Sequence, residues 1–255
     1  MVELKSAAGI ESMRAAGQVV GQALAAVQDA AGVGVSLLEL DAVAREVLDK
    51  AGAGSPFLGY TPSFADTPFP AVICASVNDA IVHGIPTGYR LRDGDLVSID
   101  CGATLDGWTG DAAISFTVGT ARPEDTELIE ATRRALDAGI AAATAGNRLG
   151  DVGHAIQQVA DAARAGMPAD FGGHGIGRRM HEDPPVPNRG RPGRGFPLRP
   201  GLVIAIEPML HAGGSNAYVP DPDGWTLRTA DGSRAAHIEH TVAVTEDGPR
   251  ILTLP

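Results

Sequence analysis

Residues 98–116, SIDCGATLDGWTGDAAISF, set two acidic residues where two apolar strands call for core side chains. The dipeptide Asp106-Gly107 between them is a strong two-residue hairpin signal. A turn there pairs Leu105 with Trp108 and so sets Asp111 opposite Gly102, with Asp100 as its diagonal neighbour on the same sheet face. Diagonal neighbours lie ~7–8 Å apart, within mutual reach of two carboxylates. Two like charges held there repel and desolvate badly unless they are neutralised, and divalent cations would neutralise them. Taken alone, the hairpin is equally consistent with two exposed aspartates beside a turn.

Three further residues fit the same pattern. Glu207 follows the apolar run 202–206 and precedes Pro208, Glu239 interrupts the strand pattern HIEHTV, and His174 lies between glycines that let the backbone approach other groups closely. Oxygen-rich ligands with one imidazole favour Mn, Fe or Co over a thiolate zinc site. Other chemistries lack their motifs: there is no G-x-S-x-G elbow, Walker loop, H-E-x-x-H or C-x-x-C. Residues 173–177, GHGIG, mimic part of a dinucleotide fingerprint, but Pro184 and Pro185 fall where its helix should run. Cys74 and His83 would make a thiolate pair only with a third, orienting group, which nothing nearby supplies. Cys101 reads as a buried inert thiol, and Cys74 as either that or part of a pocket wall.

Helical patterns cover roughly residues 9–31, 37–51, 123–143 and 149–166. The second has capping-box spacing at Ser36 and Glu39 and stops at Gly52, and the third opens on Pro123. Strand patterns fall at 71–77, 95–101, 108–118, 202–206, 225–229, 238–244 and 251–254. The order helix, helix, strands occurs twice, offset by roughly 110 residues, which suggests two related halves. The grouping predicts one α+β domain over residues 1–255, an antiparallel sheet with helices on one face. No linker divides it. The segment 184–200, with six prolines and Arg189, Arg191, Arg194 and Arg199, reads as a solvated loop or a small basic docking patch.

Composition narrows the function further. The net charge of −11 and pI near 5 argue against bulk binding to DNA, RNA or anionic membranes. No apolar run approaches the ~18 residues of a membrane span, and the first residues lack a secretory h-region. Two cysteines suit a reducing cytoplasm.

These residues resemble the methionine aminopeptidases, in the short bacterial type I form of the dinuclear-metal pita-bread family. The resemblance is carried by NDAIVHGIP at 78–86, the Asp100/Asp111 pair, GGHGIG at 172–177 with His181, IEPM at 206–209, DGWT at 223–226 and EHT at 239–241. It implies a pita-bread fold of two pseudo-symmetric halves. It implies that Asp111, His174, Glu207 and Glu239 hold one divalent ion and Asp100, Asp111 and Glu239 another, with Co, Mn or Fe as the metal and Zn or Ni also accommodated. It further implies that a water bridging the ions would become the nucleophile, that Glu207 would take its proton, that His181 would bind the scissile carbonyl oxygen, and that His83 would contact the nitrogen of the leaving group.

The substrate implied is the N-terminal methionine of nascent proteins with a small second residue. Phe57, Tyr60, Cys74, Met180 and Trp225 are implied as the methionine pocket, with His83 at its rim. Here the chain departs from the pattern: residues 60–74 are longer than in the short form, Met180 stands where an aromatic is common, and Phe64 or Phe69 could enter the pocket instead. The stretch between Glu207 and Glu239 is too short for the helical insertion of the second type, and an Xaa-Pro aminopeptidase would call for an extra N-terminal domain. A binding-only scaffold docked on ribosomal RNA has no chemical need for all five ligands. His154, His211, His237 and His240 match no role and read as structural. A monomer with at most transient ribosome contact is expected.

Overall fold

The computed structural model describes residues 2–63 and 65–255. In chain order the elements are α1 (Ala7–Ala30), α2 (Leu37–Ala51), β1 (Ile73–Val77), β2 (Ala80–Val82), β3 (Leu96–Leu105), β4 (Trp108–Thr117), α3 (Pro123–Ala142), α4 (Leu149–Ala162), β5 (Gly172–Gly175), β6 (Glu182–Pro187), β7 (Val203–Ile206), β8 (Met209–His211), β9 (Tyr218–Pro220), β10 (Leu227–Thr229), β11 (Ala235–His237), β12 (Glu239–Thr245) and β13 (Gly248–Ile251). Local chemistry sets several ends. Ser36 and Glu39 close a reciprocal capping box on α2, and Gly52, in the left-handed region at φ 66°, ends it. Gly17 lies in the middle of α1 because a Cβ there would strike the Leu252 carbonyl, so the helix presses directly on the C-terminal segment.

The main sheet is eight-stranded, in the order β1-β3-β4-β12-β7-β5-β6, with β13 alongside β12 and these neighbours paired antiparallel. Its halves repeat one plan. In the first, Val20 and Leu24 of α1 and Leu40 and Leu48 of α2 bury against Ile73, Val97, Ile99 and Cys101. In the second, Leu136 of α3 and Val152 and Ile156 of α4 bury against Ile204, Ile206 and Val242. Strand side chains alternate between faces. Apolar residues therefore turn toward the helices while Asp100, Asp111, Glu207 and Glu239 stand on the other face. The architecture is the α+β pita-bread fold.

The hairpin has the register its turn dictates. Leu105 pairs with Trp108 and Gly102 with Asp111, and Asp106 and Gly107 both take positive φ, 50° and 75°. Other boundaries differ from the sequence pattern for local reasons. The helix predicted to residue 166 stops at Ala162, and Arg164 takes φ 55°. The strand predicted over 225–229 is only Leu227–Thr229, since the Asp223 carboxylate accepts the N–H groups of Trp225 and Thr226, both at 2.8 Å, and curls that segment into a turn. The last strand forms over Gly248–Ile251, where the Val242–Ile251 register places it. The segment 184–200 is not loop throughout. Its start belongs to β6, at the end of the strand order, where Pro184, Pro185 and Pro187 are tolerated.

Candidate metal centre

Strand pairing alone brings the acidic residues together. Asp100 is paired with Ala113, and Ala113 is paired on its other side with Glu239. Asp111, two residues from Ala113, projects from the same face. The β12–β7 register, His240 with Ile206, runs on to set Glu239 opposite Glu207. Gly175 pairs with Ile204, so His174 lies opposite Ala205, on the Glu207 side of β7. Gly173 allows this approach, because a Cβ there would collide with the Ala205 carbonyl.

Each side chain is then held. Thr241 accepts the Asp111 N–H at 3.0 Å and donates its hydroxyl to the Asp111 carbonyl at 2.8 Å, which gives the third residue of EHT a reason. His174 donates Nδ1–H to the Gly175 carbonyl at 2.9 Å, so its Nε2 lone pair is free to ligate. That nitrogen lies 3.7 Å from Glu207 Oε1 and 3.9 Å from Asp111 Oδ2. Asn188 Nδ2 donates to the Glu207 carbonyl at 3.0 Å.

Burial pushes the Asp100 carboxyl up to about 7, helped by Glu207 and opposed by His237. Burial, then Asp100 and Glu207, drives Asp111 well above the usual carboxylate range, and burial followed by Asp111, Glu207 and Asp100 does the same to Glu239. Burial also pushes Glu207 upward, but His237, His174 and His181 outweigh it, and this carboxyl lies below its ordinary value. Asp100 Oδ1, Asp111 Oδ1 and Glu239 Oε1 are buried without a hydrogen-bond partner. Orphaned buried carboxylate oxygens are costly unless a cation meets them. Ligand atoms of Asp111, His174 and Glu239 lie within 4.8 Å of one another, as do those of Glu207, His237 and Glu239. The residues fit divalent metal.

Beside them opens a cavity of about 250 Å³, lined by Phe57, Tyr60, Phe69, Cys74, Met180 and Trp225, with Phe171, Met209, His83 and His181. Phe69 joins the expected wall instead of replacing part of it, packing edge-on against Trp225 at 5.0 Å and Phe57 at 6.4 Å. Phe64, the other alternative, lies outside the described residues. Trp225 Nε1 donates to the Thr67 carbonyl at 3.1 Å, tying the long 60–74 loop to the wall. Burial, then Asp100 and Asp111, raises the Cys74 thiol well above its ordinary value, which suits a wall and not a thiolate nucleophile.

Both histidines reach the cavity. His83 holds φ 60°, a costly conformation for a residue with a Cβ, and faces Phe171 at 6.2 Å and Trp225 at 6.4 Å. Burial lowers its pKa to about 4. His181 stands at the mouth, its ring centroid 4.3 Å from that of His174 and its Nδ1 2.8 Å from the Tyr60 hydroxyl. Partial burial and then His174 keep it below its ordinary value.

The model of metallopeptidase family M24 matches residues 11–246. Methionine aminopeptidase 1 of Mycobacterium tuberculosis is 56% identical over 261 residues, which cover 100% of this chain and 96% of that one. The chain belongs to the methionine aminopeptidases of family M24. The crystal structure of the Thermotoga maritima methionine aminopeptidase superposes with a TM-score of 0.95 at 39% identity, covering 100% of both chains. Prolidase from Pyrococcus furiosus, at 23% identity and TM-score 0.77 over 99% of this chain and 65% of that one, shares the fold. The chain is a metal-dependent hydrolase that removes N-terminal methionine, and no described helix is long and apolar enough to cross a membrane.

Three residues not expected at the site stand beside it in this aminopeptidase. His237, expected to be structural, has its Nε2 3.4 Å from Glu207 Oε2 and 3.7 Å from Glu239 Oε2. The spacing of two from Glu239 was a weak signal, since His237 ends β11 and Glu239 begins β12, strands of different sheets, and spacing alone fixes no shared face. Met209 reaches the cavity from the start of β8, and Phe171 from just before β5. His211 donates to the Ser215 carbonyl and His240 pairs with Thr253 Oγ1, both away from the ligands.

Proposed function

We propose that this aminopeptidase removes methionine from nascent chains whose second residue is small, with two divalent ions at the centre. Asp111, His174, Glu207 and Glu239 would hold one, and Asp100, Asp111 and Glu239 the other; Co, Mn and Fe suit the donor set, and Zn or Ni can be accommodated. The observation that carries this reading is the apolar cavity ending directly at the ligands, walled by aromatic rings that suit a flexible thioether.

Divalent ions bound there would supply Lewis acidity, which lowers the pKa of water toward neutrality. Glu207, ionised at neutral pH, accepts the proton of the attacking water. The Tyr60 hydroxyl donates to His181 Nδ1, which leaves the ring proton on Nε2 to stabilise the carbonyl oxygen as charge develops. His83, fixed between Phe171 and Trp225, meets the nitrogen of the leaving group. Exposed Arg191, Arg194 and Arg199 offer the basic surface a transient ribosome contact in the cytoplasm would use.

Peptide cleavage tests this. Metal-reconstituted chain is expected to release methionine from Met-Ala-Ser on the order of 10- to 200-fold faster than from Met-Leu-Ser, and to leave Ala-Pro-Gly intact. Cleavage of Ala-Pro-Gly with Met-Ala-Ser ignored would overturn the reading in favour of proline-directed chemistry.

A further inference from the structure

The end of β11 is pinned with unusual completeness. The His237 N–H donates to Ser115 Oγ at 3.0 Å, with Ser98 Oγ at 3.3 Å, and Ser115 Oγ donates back to the His237 carbonyl at 2.8 Å. Ser98 and Ser115 are register partners on β3 and β4, with their hydroxyls 2.8 Å apart. The hairpin that carries Asp100 and Asp111 thus also fixes the backbone from which His237 projects. The His237 side chain is 2% exposed, and its Nε2 has no hydrogen-bond partner. At 3.4 Å from Glu207 Oε2 this nitrogen is a few tenths of an ångström beyond an ordinary N–H···O bond. The other Glu207 oxygen, Oε1, faces His174 Nε2 at 3.7 Å. The two oxygens are therefore divided between two imidazoles.

We propose that His237 is a positioning residue of the metal centre, which steadies Glu207 through Oε2 and so presents Oε1 on the His174 side, toward the ion. The inference rests on the metal centre proposed above. A ligating carboxylate needs its outer oxygen held, and loss of such a partner typically weakens metal binding about 10- to 100-fold. In this role His237 adds no donor atom to the ion, although its ligand atom lies within 4.8 Å of those of Glu207 and Glu239. The adjacent Glu239 Oε2, at 3.7 Å, keeps Nε2 between the two carboxylates.

Calorimetric titration of Co²⁺ into the metal-free full chain tests this with wild type, His237→Ala and His237→Gln. His237→Ala is expected to weaken Co²⁺ binding about 10- to 100-fold while the circular dichroism of the metal-free chain is unchanged. His237→Gln, whose amide can donate to Oε2, is expected to recover most of the affinity. X-ray absorption of the Co²⁺ forms should show the same number of nitrogen donors in wild type and His237→Gln. Equal affinity in wild type and His237→Ala would overturn the proposal while leaving the centre standing. A nitrogen donor lost in His237→Gln would also overturn it, by making His237 a ligand, and this readout decides the matter if the alanine variant fails to fold. Failure of the wild type to bind Co²⁺ would defeat the metal centre itself.

Discussion

Glu207→Gln should lower kcat on Met-Ala-Ser by about 10²- to 10⁴-fold, the range typical of a lost general base. The substitution keeps size and shape but removes the proton acceptor and weakens a ligand. Three imidazoles outweigh the burial of Glu207 and hold its carboxyl below its ordinary value, so it is unprotonated at neutral pH and available to accept a proton. The fold should survive, because β7 is held by its ladder to β12 and by Ile204 and Ile206 in the helix-side core. Kinetics read together with metal content checks this, and a folded Glu207→Gln chain with near-normal kcat would contradict the assigned role.

His181→Ala should cost about 10²- to 10³-fold in kcat, the range for a lost donor to a developing oxyanion. Its side chain stands at the cavity mouth, and the metal ligands are held by other contacts, so metal content should stay at the wild-type level. Tyr60→Phe is the finer test within the same experiment. It removes only the hydroxyl 2.8 Å from Nδ1, so it should reproduce part of the loss in kcat with KM little changed. A Tyr60→Phe chain as fast as wild type would show that the hydroxyl does not set the tautomer of His181.

The hairpin was legible to the residue because its turn signal is local: Asp106-Gly107 fixes the register, and register fixes which face Asp100 and Asp111 share. Glu207 and Glu239 were legible as acids interrupting apolar strands. Their meeting was not, because it depends on β12 entering between β4 and β7, a non-local pairing that no short motif encodes. For the same reason His237 escaped notice: what aims it is a serine pair more than a hundred residues earlier in the chain. The cavity wall was legible as a set of side chains but not as an arrangement. Whether Phe69 replaced or joined Phe57 and Trp225 was decided by loop 60–74 folding back to let Thr67 accept the indole N–H. Proline content misled at β6, where an edge strand tolerates what an interior strand would not.

Asp100, Asp111, His174, Glu207 and Glu239, from separate parts of the sheet, would form one dinuclear metal centre. Anomalous diffraction from crystals of the full chain soaked in Mn²⁺ tests it most directly. Two peaks are expected ~3.5–4 Å apart, ringed by Asp100, Asp111, His174, Glu207 and Glu239. Saturating Mn²⁺ with no peak among these side chains, or with peaks only elsewhere on the molecule, would contradict the account.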